Sequence, residues 1–577
     1  MRSRRAVRGL TVQAIAGSHV VLLGFDLDLR LCPGLLGFAI HRTDHVEDEA
    51  YWLEGLKTFA ETDPKRPAGT QYATNQHPIQ GFTWSDFTAK PGYRYTYRIE
   101  ALTGTPSALT TFRRVSVEVK TECEATGDHD VFFNRGAAAS QEFARRFGQM
   151  ASLESAPPDD PRWAWLSRGA EEAMLAFVAR ATDRHFALRV SAYEFRLPSL
   201  ARALDAARLR GVDVQVLYDA NANPPDTAGA VFPRDVNRTT ARAAGIESLV
   251  RDRVTRSDVT RPPIAHHKFI VLVRDEQPEA VLTGSTNFSL GGVFGQANVV
   301  HIVEMRSVAK SYLECWHLIA ANPDHQMLRT ELTRRNALQV DLSVGAPLPL
   351  RRAGTRAVFS PQRDRAALDG YARLAAHADG ALFMTFAFGM NEEFRQAYRS
   401  GKAALRYALL DKLIASGTAA ARRQAAEAEM VALRRMPANR FAVGNRLSTN
   451  RFDRWVQEKL TGLNQHVQYI HTKFMLIDPL GRDPIVITGS ANFSEASTTA
   501  NDENMLVIRG NARVADIYVG EYMRLWNHYA FREWAADRGG AVQDSFRHLD
   551  VADQWWREYF RDSARSRQRK YFSGAPR

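Results

Sequence analysis

Two stretches of the chain repeat the same polar residues at the same spacing. Each has His-x-Lys followed at an identical distance by Gly-Ser-x-Asn. The candidate site residues are His266, Lys268, Ser285 and Asn287 in the first copy, and His471, Lys473, Ser490 and Asn492 in the second. An imidazole can act as a nucleophile or as a general acid and base near neutral pH. Because ammonium and amide groups can hold phosphate oxygens, the repeat predicts a two-part site for phosphate chemistry.

The local geometry of each copy brings these side chains together. Strand side chains alternate with period 2, so His-x-Lys at the start of a strand directs both groups to one face. His267, between them, is expected to point away and to be structural. Attack and leaving-group protonation need imidazoles on opposite sides of phosphorus, and each half supplies only one. We therefore expect His266 and His471 to lie close enough to sandwich one phosphate, with no metal and no cofactor required.

The paired motifs resemble the phospholipase D superfamily signature, HxKxxxxD followed by GSxN and usually present twice. The resemblance covers about residues 160–535. The second copy matches in full, including Asp478, and Glu503 matches the downstream carboxylate that orients a histidine in the family. The first copy departs from the pattern, because Val273 occupies the aspartate position and Asp275 follows two residues later. The place of its downstream carboxylate is taken by Gln296, Ala297 and Asn298.

The resemblance implies a metal-independent, two-step phosphodiester exchange. One histidine attacks phosphorus and forms a phosphohistidine, while the other protonates the leaving oxygen and then activates water. By the habit of the family the N-terminal histidine, His266, is the nucleophile. Glu503 offers a counter-argument, since it would raise the basicity of its histidine partner, for which His471 is a candidate. Both assignments of the two roles stay open.

The pattern of elements predicts a multidomain fold with an N-terminal all-β sandwich and two tandem α/β phospholipase D-like domains in a pseudo-two-fold arrangement. The predicted segments are the sandwich at 8–121, a linker at 122–160, α/β domains at 161–330 and 350–535, and a basic C-terminal tail at 536–577. Pro91-Gly92 precedes a tyrosine-rich strand. This pattern resembles a fibronectin type III sandwich, in which Tyr95 would form the tyrosine corner.

Composition narrows the class of protein. The chain has 76 basic and 64 acidic residues and a formal net charge of +12, which favours polyanionic partners such as nucleic acid or acidic lipid surfaces. A solvated arginine-rich surface would give the same excess. Three widely spaced cysteines argue against a disulfide framework and favour the cytoplasm. The apolar stretch 10–25 predicts two strands rather than an export signal, and no apolar run is long enough for stable membrane insertion.

Three functions fit these observations. The leading one is a nuclease, and the alternatives are a phospholipase D or phosphatidyl transferase acting on phospholipid, and an inactive nucleic-acid-binding module. The net charge and the missing export signal favour nucleic acid as the partner, and phospholipid is the second possibility. Candidate phosphate contacts outside the motifs are Arg251, Arg253, Arg256, Arg261, Arg440, Arg446 and Arg451.

Overall fold

The computed structural model describes residues 1–65, 70–136, 143, 146–147, 156–222, 233–255, 263–341, 350–414, 420–444, 470–537 and 548–575. The N-terminal region is all β. Its strands are β1 (Arg2–Val7), β2 (Leu10–Ala16), β3 (Val21–Leu27), β4 (Gly37–Asp44), β5 (Glu49–Trp52), β6 (Glu54–Gly55), β7 (Tyr72–Ala73), β8 (Thr83–Asp86), β9 (Arg94–Thr105) and β10 (Ala108–Lys120). Two four-stranded antiparallel sheets, in the orders β1-β2-β3-β8 and β10-β9-β4-β5, share one hydrophobic core.

Alternation along β9 explains how its sheet faces that core. Tyr95, Tyr97 and Ile99 are fully buried, whereas the intervening residues reach the surface. The Tyr95 hydroxyl accepts a hydrogen bond from the backbone N–H of Lys90 at 2.9 Å, across the turn at Pro91-Gly92. This contact ties the strand to the loop before it, as expected for a tyrosine corner.

Removing that hydroxyl should weaken the N-terminal domain. We expect Tyr95→Phe to lower its free energy of unfolding by about 1–3 kcal/mol, because the Lys90 N–H loses its acceptor. Differential scanning calorimetry of the full chain measures the change. The control is Tyr93→Phe, since that hydroxyl makes an exposed 3.3 Å contact with Glu47. An equal loss of unfolding free energy in both variants would show that the Tyr95 hydrogen bond contributes no more to stability than the exposed Tyr93 contact.

The first α/β domain is built on an eight-stranded sheet in the order β11-β12-β20-β18-β17-β13-β15-β16. The strands are β11 (Ala125–Thr126), β12 (His129–Phe133), β13 (Phe186–Ala192), β14 (Phe195–Arg196), β15 (Asp213–Asp219), β16 (Val250–Arg253), β17 (Lys268–Arg274), β18 (Gln277–Gly284), β19 (Phe288–Ser289) and β20 (Val299–Val303). The helices are α1 (Pro161–Ser167), α2 (Ala170–Ala179), α3 (Pro198–Leu209), α4 (Arg234–Ala243), α5 (Arg306–Ala320) and α6 (His325–Gln339).

The second domain has a seven-stranded sheet in the order β21-β27-β26-β25-β22-β23-β24. The strands are β21 (Gly354–Ser360), β22 (Ala381–Phe386), β23 (Leu405–Leu410), β24 (Asn439–Val443), β25 (Phe474–Ile477), β26 (Ile485–Gly489) and β27 (Glu503–Arg509). The helices of this domain are α7 (Ala366–His377), α8 (Glu392–Ser400), α9 (Ala420–Arg435), α10 (Glu495–Thr499) and α11 (Ala512–Asp537), and α12 (Ala564–Ser573) follows in the C-terminal segment.

Seven strands follow the same order in the two sheets. In both domains three neighbouring strands are parallel, and the motif strand, β17 or β25, pairs antiparallel with the first of them. β17 and β25 are apolar runs buried on both faces, which requires layers on either side of the sheet. One hydrophobic cluster contains Val271 of β17, Phe474 of β25 and Tyr518 of α11, so the two domains share a core.

Two predicted boundaries need correction. The segment 122–160, expected to be a linker, contributes β12 to the first α/β sheet, where it pairs with β20. The described part of the segment 536–577, expected to end in a solvated basic tail, packs on the N-terminal sheets instead. Its Arg569 and Phe572 are buried, and the Arg569 guanidinium pairs with Asp26 of β3. Apolar side chains between the arginines, including Trp555 and Phe560, explain the docking.

The expected order of an N-terminal β region followed by α/β domains is confirmed. No helix in the described part of the chain combines the length and the apolar character needed to cross a bilayer.

Candidate active site

The two α/β domains exchange short β-bridges just before their motif strands. The residue preceding His266 pairs with Asp502 of the second domain, and the residue preceding His471 pairs with Ala297 of the first. The backbone N–H of His266 donates to the Asp502 carbonyl at 2.9 Å, and that of His471 donates to the Ala297 carbonyl at 3.2 Å. Each histidine is therefore held in place by the other domain.

The side-chain partner of each imidazole also comes from the opposite domain. His266 Nδ1 lies 2.8 Å from Glu503 Oε2, and His471 Nδ1 lies 3.0 Å from Asn298 Oδ1. The interpretation that Glu503 serves His471 is therefore wrong, because the bridges carry Glu503 across to His266. With Nδ1 engaged in both rings, Nε2 is the nitrogen left to face a substrate.

Asn298 takes the place in the first domain that Glu503 takes in the second. Its Oδ1 accepts from His471 and from the Ser285 hydroxyl at 2.8 Å, while its Nδ2 donates to the Gly292 carbonyl at 2.8 Å. That donor bond needs an amide, because a carboxylate there would face a carbonyl oxygen. The two histidines thus have chemically different partners, one acidic and one neutral.

Both motif lysines are buried beside the histidines. Lys268 Nζ donates to the His266 carbonyl and Lys473 Nζ to the His471 carbonyl, each at 2.6 Å. Burial lowers the pKa of Lys268 to about 7, and burial together with the Lys268 charge holds the pKa of Lys473 well below its ordinary value. The empty site therefore resists positive charge, and an incoming phosphate would relieve that cost.

The same environment sets the pKa of the acid and base candidates. Burial, with the adjacent lysine ammonium groups, holds the pKa of His266 and of His471 well below the ordinary histidine value. Burial raises the pKa of Glu503 to about 7, against the opposing effect of Lys268. Neutral imidazoles suit nucleophilic attack, and the negative charge of a bound phosphodiester would favour protonation of one of them.

The Gly-Ser-x-Asn turns contribute in two ways. The Ser285 hydroxyl accepts from the Val299 N–H at 3.2 Å, and the Ser490 hydroxyl accepts from the Asn504 N–H at 2.9 Å. These serines fasten each turn to the next strand, and the Ser285 hydroxyl also donates to the Asn298 oxygen that contacts His471. The side-chain oxygens of Asn287 and Asn492 are buried without a hydrogen-bond partner among the described residues, which leaves these two oxygens uncommitted.

The motif aspartate does not reach the site. Asp478 follows β25, at the opposite end of that strand from His471, and its carboxylate accepts from the backbone N–H groups of Asp379 at 3.0 Å and Ala381 at 2.9 Å. Its inclusion among the catalytic candidates is corrected, because these bonds fasten the start of β22. In the first domain Val273 is a core residue, and Asp275 makes an exposed 2.8 Å contact with His185.

Two further aspartates support the motif segments and were missed. Asp219 accepts from the N–H of Ala265 at 2.7 Å, and Asp411 accepts from the N–H of Ile470 at 3.0 Å. Each therefore holds the residue immediately before a motif histidine. Asp219 is the last residue of β15 and Asp411 follows the equivalent strand β23, and they end the sequences Leu-Tyr-Asp and Leu-Leu-Asp. That matched ending was the signal available in the sequence.

Tyr193 was also missed. Its ring packs edge-on against His266 with centroids 5.0 Å apart, and Lys268 Nζ lies 5.5 Å from the ring centre. His267 turns away as expected, since its Nδ1 meets Asn504 Oδ1 at 3.1 Å inside the protein. Tyr193 follows β13, so the first domain covers one side of its histidine with an aromatic ring.

The arginines predicted as phosphate contacts divide into three groups. Arg253 is buried and bonded to Asp502, so it is not a surface contact, and Arg440 stacks on Trp526 at 4.9 Å. Arg251 is exposed on β16. The other four candidates, Arg256, Arg261, Arg446 and Arg451, lie outside the described residues.

The two α/β domains are similar in sequence to known proteins. A family model described as "Cardiolipin synthase, PLD-like domain" matches residues 178–316 and 412–526, the two segments that carry the motifs. A protein named phospholipase D from Rickettsia felis is 28% identical over 141 residues, which are 24% of this chain and 60% of the relative. The chain thus spans less than two thirds of the length of that relative.

Solved structures show more distant likeness. NUC from Salmonella typhimurium, a phospholipase D family member, is 27% identical over 26% of this chain and 84% of its own, with a TM-score of 0.19. A phosphatidylserine synthase from Haemophilus influenzae Rd KW20 is 12% identical over 63% of this chain and 85% of its own, with a TM-score of 0.39. Likenesses at these TM-scores carry no information about substrate.

The family match and the Rickettsia relative support the phospholipase D superfamily for the two α/β domains.

Proposed function

We propose that this protein is a metal-independent phosphodiesterase that works through a phosphohistidine and acts on nucleic acid. The observation that carries the proposal is the exchange of partners between domains, His266 with Glu503 and His471 with Asn298, beside the two buried lysines. Equivalent contacts run in both directions, which supports a pseudo-two-fold arrangement around one phosphate. Neither half is complete without the other.

In the first step His266 Nε2 attacks phosphorus and the bond to the leaving oxygen breaks. The phosphorylated imidazole is cationic, and Glu503 at Nδ1 stabilises it, which assigns the nucleophile to the histidine with the acidic partner. The leaving oxygen takes a proton from His471 Nε2. The ammonium groups of Lys268 and Lys473 and the amides of Asn287 and Asn492 hold the non-bridging oxygens.

In the second step neutral His471 removes a proton from water, and the resulting hydroxide attacks phosphorus. The P–N bond breaks, and its electron pair returns to His266 Nε2. Asn298 orients His471 but carries no charge, so it leaves that imidazole free to lose its proton during the first step. The difference between Glu503 and Asn298 therefore divides the two roles.

Nucleic acid is favoured as substrate by the net charge of +12. The second candidate is a phospholipid, since the Rickettsia felis relative is named phospholipase D and the matching family description names cardiolipin synthase. An inactive nucleic-acid-binding module is the third possibility, and the neutral Asn298 is the observation in its favour.

Side-by-side assays decide among these. Purified full-length protein is incubated with labelled single-stranded DNA, duplex DNA, RNA and phosphatidylcholine vesicles, with the His266→Ala/His471→Ala double variant as control. We expect the native protein to cleave at least one of the nucleic acids and the double variant to cleave none. Release of choline without nucleic-acid cleavage would transfer the function to phospholipid, and binding without turnover of any substrate would support the inactive module.

Chelation tests the charge-neutralising role given to the lysines. We expect activity to survive saturating EDTA, because two buried ammonium groups occupy the place where a metal would offset phosphate charge in other phosphodiesterases. Initial rates with and without EDTA are compared on the same substrate. Loss of activity on chelation and its return with Mg²⁺ would contradict the mechanism.

Two further assignments are proposals. The two sheets and the Tyr95 contact support a fibronectin type III-like N-terminal domain, and three free cysteines are consistent with a cytoplasmic protein.

A further inference from the structure

Arg253 links an edge strand of the first domain to the second domain close to the candidate nucleophile. It is the last residue of β16 and is buried. Its Nε and one terminal nitrogen reach the two Asp502 carboxylate oxygens at 2.8 and 3.3 Å, and its other terminal nitrogen donates to Asn322 Oδ1 at 2.6 Å. This forked geometry holds Asp502 in one orientation.

The backbone of Asp502 is what places His266. Its carbonyl accepts from the His266 N–H at 2.9 Å, and its N–H donates to the Ile264 carbonyl at 3.0 Å. The next residue, Glu503, contacts His266 Nδ1. A shift of Asp502 would therefore move both the backbone and the carboxylate that hold the imidazole.

Among the described residues, the other half of the site has no equivalent pair. Ala297 occupies the position equivalent to Asp502 in the bridge before His471, and it has no polar side chain. By strand register, the residue equivalent to Arg253 follows β24 and is Gly444. In the described part of the chain, the Arg253–Asp502 pair therefore supports the histidine with the acidic partner and has no counterpart beside His471, which matches the different roles of the two histidines.

We infer that Arg253 and Asp502 form a positioning pair that aligns Glu503 with His266 across the domain boundary and so sets the rate of the first chemical step. The inference rests on the proposed function. Arg253 does not touch the imidazoles, and its effect passes through Asp502. It should therefore govern how fast the phosphohistidine forms and leave substrate binding and the second step nearly unchanged.

The test is pre-steady-state kinetics with bis(p-nitrophenyl) phosphate. The amplitude of the p-nitrophenol burst counts competent sites, so the burst rate constant is independent of any fraction that fails to fold. We expect Arg253→Lys to lower that rate constant about 10- to 100-fold, because lysine lacks the fork that fixes Asp502 and small misplacements of reacting groups are costly. The substrate concentration for half-maximal burst rate should stay within twofold.

Asp502→Asn is the second variant and is used if Arg253→Lys fails to fold. Asparagine has nearly the size of aspartate and keeps the backbone contacts, but it lacks the charge that pairs with Arg253. The matched control is Arg168→Lys, which alters another buried pair between the α/β domains, with Glu521 at 2.7 Å. Arg168→Lys should lower the stability of the protein but leave the burst rate constant within twofold of the native value.

A burst rate constant within twofold of the native value in Arg253→Lys or in Asp502→Asn would overturn this inference and leave the proposed function intact. A native protein that turns over none of the phosphodiesters tested would overturn the proposed function, and this inference with it.

Discussion

His266→Ala is expected to abolish both the burst and the steady-state release of p-nitrophenol from bis(p-nitrophenyl) phosphate. We expect a loss of at least about 10⁴-fold, because no covalent intermediate can form once its nucleophile is removed. The buried site keeps this imidazole neutral, and Glu503 engages its Nδ1, so Nε2 is available for attack. Stopped-flow absorbance measures the burst, and acid-labile labelled phosphate on the protein measures the intermediate.

The control for this variant is His185→Ala. That ring is exposed and pairs with Asp275 near the end of β17 that lies away from His266, so its loss should change the rate less than twofold. Formation of a phosphorylated protein by the His266 variant would assign the nucleophile to His471. The reading of Glu503 as the partner of the nucleophile would then be wrong.

His471→Ala should give a different result on the same substrate. Because p-nitrophenolate leaves without a proton, the first step should survive, and each active site should release one equivalent of p-nitrophenol. Hydrolysis of the phosphohistidine needs a base, so the second step should slow by about 10²- to 10⁴-fold. The phosphorylated protein should therefore persist in the variant long after the native enzyme has hydrolysed its own intermediate.

The leaving group supplies the control. With a phosphodiester of an unactivated alcohol, the His471 variant should lose the burst as well, because the first step then needs the acid. Equal bursts with both kinds of leaving group would mean that His471 does not protonate the leaving oxygen. An absent burst with the activated substrate would show that this imidazole is needed for attack itself.

Local pattern in the sequence determined much of this protein. The spacing of His-x-Lys and Gly-Ser-x-Asn identified both halves of the site, because strand alternation places residues two apart on one face. Alternating apolar residues identified the N-terminal β region, and Pro91-Gly92 before Tyr95 predicted the hydroxyl contact with the preceding loop. Each of these features depends on residues close together in the chain.

Only the tertiary structure decided which segments meet. Glu503 lies 237 positions from His266, and nothing local distinguishes that histidine from His471 as its partner. The pairing of Arg253 with Asp502 also joins residues that are far apart in the chain. The sequence around β12 predicted a linker, and only its pairing with β20 shows that it is a strand. Periodicity records which face of a segment is buried but not which distant segment covers it, because pairing is chosen by the packing of the whole core.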